Sequence, residues 1–157
     1  GVQTCALPIY NLKMFAENNF RPSTGGRRPR KRYTSGALLN SILLIPEFAT
    51  LNKMGLSTRI MSESPFNNII YPNLTDTAWT DEVSCIHNWH VINGILKEIQ
   101  QLTSIGDKLD LVTSKIMTAM NNYRLINGRI PLDTKSNGSH LSGWIAAISN
   151  FRDQVGV

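Results

Sequence analysis

Residues able to do chemistry are few in this chain. Cys85, His87 and His90 fall within six positions. His87 and His90 are three apart, which makes them neighbours on a helix. A structural zinc site draws four ligands, usually from two separated pairs. The third histidine, His140, is 50 residues further on, and Cys85 points to a different helix face from His87. No metal site is expected. Asp107 and Asp110 are also three apart, and such a carboxylate pair could move a proton or hold a cation. Their place in a first helical turn explains them without chemistry, because negative charge there offsets the helix dipole. Glycine-rich phosphate loops and a nucleophile elbow are both absent. The expectation is a protein that is not an enzyme and carries no metal or organic cofactor. Trp79, Trp89 and Trp144 sit at a helix entrance or on apolar stripes, so they read as core or interface rather than as a base-stacking platform.

The strongest signal is electrostatic. Between Arg21 and Tyr33 stand Arg21, Arg27, Arg28, Arg30, Lys31 and Arg32, with no acidic residue. That segment carries +6 of a net charge of +5, so the rest of the chain sums to −1. Pro22, Gly25, Gly26 and Pro29 oppose helix and strand alike. The segment has too little apolar surface to repay ordering. Residues 10–34 are therefore expected to form a disordered basic arm, with the body starting at 35. Arginine binds phosphate bidentately, and these six side chains are expected to bind RNA or DNA without reading sequence. A nuclear-import signal, attachment to anionic lipid, or a merely solvated tail are the competing uses.

The body reads as helical. Ser35 is a candidate N-cap, with Ala37, Leu38, Ser41, Ile42 and Ile45 at helical spacing up to Pro46. A second short turn is predicted from Pro46 to Met54, closed by Gly55. Residues 56–80 are irregular, with short strands at most over 58–61 and 68–71. Thr80 opens a long helix with the stripe Val83, Ile86, Trp89, Ile92, Ile95, Leu96, Ile99 and Leu102, ended by Gly106. Asp107 is read as the cap of the next, whose inner face is Leu109, Val112, Ile116, Ala119, Tyr123 and Ile126, ending at Gly128. A last helix spans about 139–155, with Leu141, Trp144, Ile145, Ile148 and Phe151 on one face. The predicted fold is mainly α: three long amphipathic helices near 80–104, 107–127 and 139–155, a short helical segment before them, an irregular middle and the arm.

Composition closes the reading. Hydrophobic residues make up 41% of the 157, which suits one globular domain, and charged residues only 17%. Asparagine, with 15 copies, fills much of the gap. No apolar run approaches the roughly 20 residues that span a bilayer. Gly1 to Ile9 resembles a sequencing-library adapter translated in frame, which implies a metagenomic fragment and sets those nine residues aside. Without Cys5, Cys85 stands alone and gives no disulfide to argue for an oxidising compartment. A cationic arm on a charge-poor body is what coating or packaging nucleic acid requires, so the leading expectation is a structural protein of virion or nucleocapsid type that self-assembles. Phe66, Ile69, Ile70 and Tyr71 are its expected interface, an apolar cluster in an irregular segment. The alternatives are a small helical DNA-binding regulator, and an accessory protein–protein module whose arm is a localisation signal.

Overall fold

A computed structural model of the chain describes residues 30–70 and 78–156. It begins with a hairpin in place of the predicted first helix. Strand β1 (Arg32–Ser35) pairs antiparallel with β2 (Asn40–Leu43), Tyr33 opposite Ile42 and Ser35 opposite Asn40. The Lys31 carbonyl accepts from the Leu44 amide at 2.9 Å and extends the ladder by one bond. The turn Gly36–Leu39 places Leu39 at φ 50°. A lone hairpin is only marginally stable in water. This one is held by its neighbours: the Ser35 hydroxyl donates to the Ile60 carbonyl at 2.6 Å, and the Asn122 amide to the Ala37 carbonyl at 2.9 Å.

Two expectations are corrected here. The helix expected from Ser35 to Ile45 is strand and turn, and Ser35 is a buried strand residue rather than a cap. The arm expected over 10–34 does not reach Thr34, because Arg32, Tyr33 and Thr34 belong to β1. The reason is Tyr33, which is fully buried between Phe48, Trp79 and His87, with ring centroids 4.7, 5.7 and 4.6 Å away. Residues 1–29, and Arg21, Arg27 and Arg28 with them, lie outside the described residues.

After β2 a wide π-type turn, Leu44–Phe48, with Ile45 extended (φ −127, ψ 126), runs into α1 (Ala49–Lys53). Gly55 follows at φ +70, the left-handed conformation a terminating glycine adopts readily. The stretches read as possible strands are single helical turns instead, α2 (Ser57–Ile60) and α3 (Asn67–Ile70). Ser57 and Ile60 are buried and Thr58 is exposed, an inner face at helical spacing rather than strand alternation.

The three long helices stand where the periodicity puts them. They are α4 (Asp81–Gln100), α5 (Ile105–Asn127) and α6 (His140–Val155). Thr80 caps α4 by accepting from the Val83 amide at 3.1 Å. α4 stops at Gln100, ahead of Gly106, and Ser104 rather than Asp107 caps α5, accepting from the Asp107 amide at 3.3 Å. Gly128 closes α5. The α5 stripe is inward as predicted: Ile116, Ala119, Tyr123 and Ile126 are all buried.

The predicted stripe of α4 is inward only in part: Val83, Ile92, Ile95, Ile99 and Leu102 are half-buried. His87 and Val91 are the buried residues of the helix, while Ile86, Trp89 and Leu96 are 48%, 37% and 48% exposed. Apolar residues wrap most of this helix, so periodicity leaves two candidate faces. Hydrogen bonding selects the one that carries His87. On α6 only Leu141 is fully buried, Ile145 and Ile148 are half-buried, and Trp144 and Phe151 are exposed. Among the described residues no helix is long and apolar enough to cross a membrane.

Candidate functional site

The described end of the basic segment is rooted in the body. Arg30 is exposed at the edge of the hairpin. Arg32, two residues on, is committed inside the protein. Its Nη1 donates to the Ser41 carbonyl at 2.8 Å and to the Ser136 hydroxyl at 3.1 Å, and its Nη2 to Asp133 Oδ1 at 3.2 Å. The Asp133 carboxyl is held below its ordinary range, first by the Lys135 amide that donates to it, then by the charges of Arg32 and Arg30. Of the six expected phosphate-binding residues, the structure places Arg30 and Lys31 beside the hairpin and gives Arg32 a structural task. Sequence could not separate Arg32 from its neighbours, because its partner is about a hundred residues away.

The loop that receives Arg32 is clamped from below. Glu47 is buried, and its two carboxylate oxygens accept from the Leu43 amide and the Asp133 amide. The Asn40 amide donates to the Lys135 and Asn137 carbonyls at 3.3 and 3.1 Å and to the Tyr123 hydroxyl at 3.2 Å. Tyr123 in turn donates to the Ser136 carbonyl at 2.9 Å, and burial pushes its phenol up to about 12. A side chain at Gly138 would collide with the Tyr123 ring.

His87 is the other buried polar group. Its Nε2 donates to the Thr34 carbonyl at 2.8 Å, and its Nδ1 accepts from the Ser64 hydroxyl at 2.9 Å. A carbonyl can only accept, so the Nε2-protonated tautomer is fixed and the ring's lone pair is spent. Burial holds the imidazole below its ordinary pKa, hence neutral. The Tyr33 hydroxyl accepts from the Ser62 amide at 2.9 Å and is likewise pushed up to about 12 by burial. Sequence reasoning put His87 on the polar side of its helix; it is instead the hinge between α4, β1 and residue 64. Cys85 and His90 are exposed on other sides of α4, and among the described residues no three His, Cys, Asp or Glu groups converge. Asp107 stays in its helical turn, while Asp110 pairs with Arg152 of α6.

Of the expected interface, Phe66 and Ile69 are half-buried and pack against the core. The Ile70 side chain and Tyr71 lie outside the described residues. Leu38, Leu43 and Leu44 are inside, and Leu39 packs against the same core. Among the described residues, exposed large apolar side chains include Ile86, Trp89 and Leu96 of α4, Met117 and Leu125 of α5, and Trp144, Phe151 and Val155 of α6.

Several hollows accompany these surfaces. A cleft of about 370 Å³ opens between the hairpin, α4 and α5, with Trp144 of α6 on its rim. Its walls are mainly Val91, Ile92, Ile95, Ile99, Val112 and Ile116. No family model, no curated protein and no solved structure matches this chain.

Proposed function

We propose that this chain is a non-enzymatic nucleic-acid-binding structural protein of virion or nucleocapsid type. Its basic segment neutralises phosphates without reading sequence, and its helical body self-associates. The observation that carries the reading is the charge distribution: six cations and no acid within residues 21–33, against −1 for everything else. Arg32 acts as the root of the arm, and Arg21, Arg27, Arg28, Arg30 and Lys31 as its binding part. The body's contact surface is the outer face of α4, where Ile86, Trp89 and Leu96 leave apolar area in water. A body with 21 charges outside residues 21–33 does little to oppose such contacts.

Gel shifts on random-sequence single-stranded RNA and duplex DNA test the arm. Replacing those five residues by glutamine, with Arg32 kept, is expected to abolish the shift and leave the circular dichroism melt unchanged. With the natural residues, log affinity on duplex should fall against log salt with a slope of roughly −4 to −5. Binding that survives the substitutions, or that hardly responds to salt, overturns the reading. A strong preference for one sequence favours the regulator instead.

A further inference from the structure

Three asparagines in this chain precede a glycine: Asn93 before Gly94, Asn127 before Gly128 and Asn137 before Gly138. Such a pair can cyclise on itself, because a glycine amide carries no side chain to hinder its attack on the neighbouring side-chain carbonyl. The fold treats the three pairs differently. Asn93 and Gly94 lie inside α4, where amides are engaged in the helix ladder and the backbone is held in helical shape. Gly128 spends its amide on the Ile126 carbonyl at the end of α5. Asn137 and Gly138 lie outside any helix or strand. The Gly138 amide has no hydrogen-bond partner among the described residues.

The side chain of Asn137 is prepared on both atoms of its amide. Its Oδ1 accepts from the Ser139 amide at 3.2 Å and from the Ser139 hydroxyl at 2.7 Å. Two donors on one carbonyl oxygen stabilise the negative charge that an attack on Cγ places there. Its Nδ2 meets no partner among the described residues, so no bond to protein retains it as a leaving group. Asn137 and Gly138 are half-buried and Ser139 is exposed, which gives water access. The glycine itself is fixed by packing, since a side chain at 138 would overlap the Tyr123 ring.

We propose that Asn137 is a site of spontaneous modification, converting through a cyclic imide with Gly138 to aspartate and isoaspartate, and that the isoaspartate form unties the loop holding Arg32. The Gly138 amide nitrogen gives its proton to hydroxide and bonds to Asn137 Cγ. The charge passes to Oδ1, between the two Ser139 donors. The Cγ–Nδ2 bond then breaks, and Nδ2 takes a proton from water and leaves as ammonia. Water adds to the imide and opens it on either side. Breaking the bond from the Gly138 nitrogen to Cγ gives aspartate; breaking its bond to the main-chain carbonyl carbon gives isoaspartate. The sum is amide plus water to carboxylate plus ammonium, with no change of oxidation state. Aspartate keeps the main chain and an acceptor for Ser139. Isoaspartate routes the main chain through Cβ and Cγ and lengthens it just before a glycine that has no room beside Tyr123. It also removes the peptide carbonyl that accepts from Asn40 at 3.1 Å. The preceding residue, Ser136, is where Tyr123 and Arg32 hold the loop. The inference is independent of nucleic-acid binding.

The full chain is incubated folded at mildly alkaline pH and then digested under mildly acidic conditions. Peptide mass spectrometry reads the exchange of NH₂ for OH at each asparagine, and electron-transfer fragmentation separates isoaspartate from aspartate. Asn137 should convert faster than Asn93 and Asn127 by roughly tenfold or more. In concentrated urea the three rates should come together, since the dipeptide is the same. Ser139→Ala should slow Asn137 by about three- to tenfold, less than such a donor is worth in a water-free site, and Ser139→Thr should restore the rate. The isoaspartate form, separated by chromatography from the aged sample, should melt below the fresh chain, whereas Asn137→Asp should melt with it. Folded chain in which Asn137 converts no faster than the other two overturns the proposal, as does a rate indifferent to the Ser139 hydroxyl. An isoaspartate form that melts like Asn137→Asp overturns the untying of the loop.

Discussion

Three side chains show how position within a few residues decides role. Arg30 and Arg32 are two apart, yet one is exposed and the other ties the 131–138 loop to β2, with two hydrogen bonds to the loop and one to the Ser41 carbonyl. Arg32→Gln is expected to lower stability by about 1–3 kcal/mol, near 1 for each lost hydrogen bond, and Arg30→Gln to leave the urea midpoint unchanged. His87 contributes through its neutral form. Its folded pKa lies below the unfolded value of 6.5, so protons bind the unfolded chain first. That component of stability is complete above neutral pH and is lost as pH falls through 6.5. Urea midpoints measured from pH 7.5 to 5 should decline, at no more than about 1.4 kcal/mol per unit from this group. His87→Gln should flatten that part of the profile at the cost of a lower plateau. Gly138→Ala, which sets a methyl against the Tyr123 ring, should cost about 1–3 kcal/mol by overpacking.

The hairpin is the element whose removal discriminates most. A chain beginning at Arg30 keeps Tyr33 and should melt cooperatively. One beginning at Thr34 loses a fully buried aromatic, a loss comparable to about 3–5 kcal/mol for truncating such a side chain, and should lose most of its helical signal on mild heating. The basic segment therefore cannot be cut away as far as residue 33. The hairpin was also the least legible element. Ala37, Leu38, Ser41 and Ile42 fit a 3.6-residue period as well as a turn and strand do, and the arginines and glycines before them hide the β-prone Tyr33 and Thr34. Its evidence is remote: Trp79 Nε1, the Ser84 hydroxyl and His87 Nε2 all donate into β1 carbonyls. Helices α5 and α6 were legible because their patterns are local, with Gly128 closing α5 and Ile116, Ala119, Tyr123 and Ile126 together on its buried side. On α4 the span was legible and the centre of the inner face was not, since His87 and Val91 are its most buried residues while Ile86, Trp89 and Leu96 of the apolar stripe are exposed. The cleft is formed by three elements at once and leaves no mark in any one of them.

At the scale of the molecule, most of the large exposed apolar side chains among the described residues are on the three long helices. Phe66→Asp is a poor probe of association, because Phe66 packs against the core and a charge there should destabilise the fold. Trp89→Glu is the better one, at a position already 37% exposed. The full chain is expected to sediment as a dimer or larger at micromolar concentration, and Trp89→Glu to shift it to monomer with an unchanged melt. A natural-sequence chain that stays monomeric at hundreds of micromolar would remove the self-assembling part of the packaging reading and leave the nucleic-acid part standing.

Glu47 and Arg32 bind the opening of the described chain to a loop late in it, across separations of 86 and 101 residues. A ribosome adds about 5–20 residues each second. The two strands therefore emerge some 5–20 s before the loop that locks them exists. Throughout that interval Glu47 lacks its Asp133 amide and the cations ahead of Tyr33 adjoin an unlocked edge. Under the proposed function, a nascent chain would meet its polyanion before its own fold is closed, and the order of those two events would be set by the speed of synthesis.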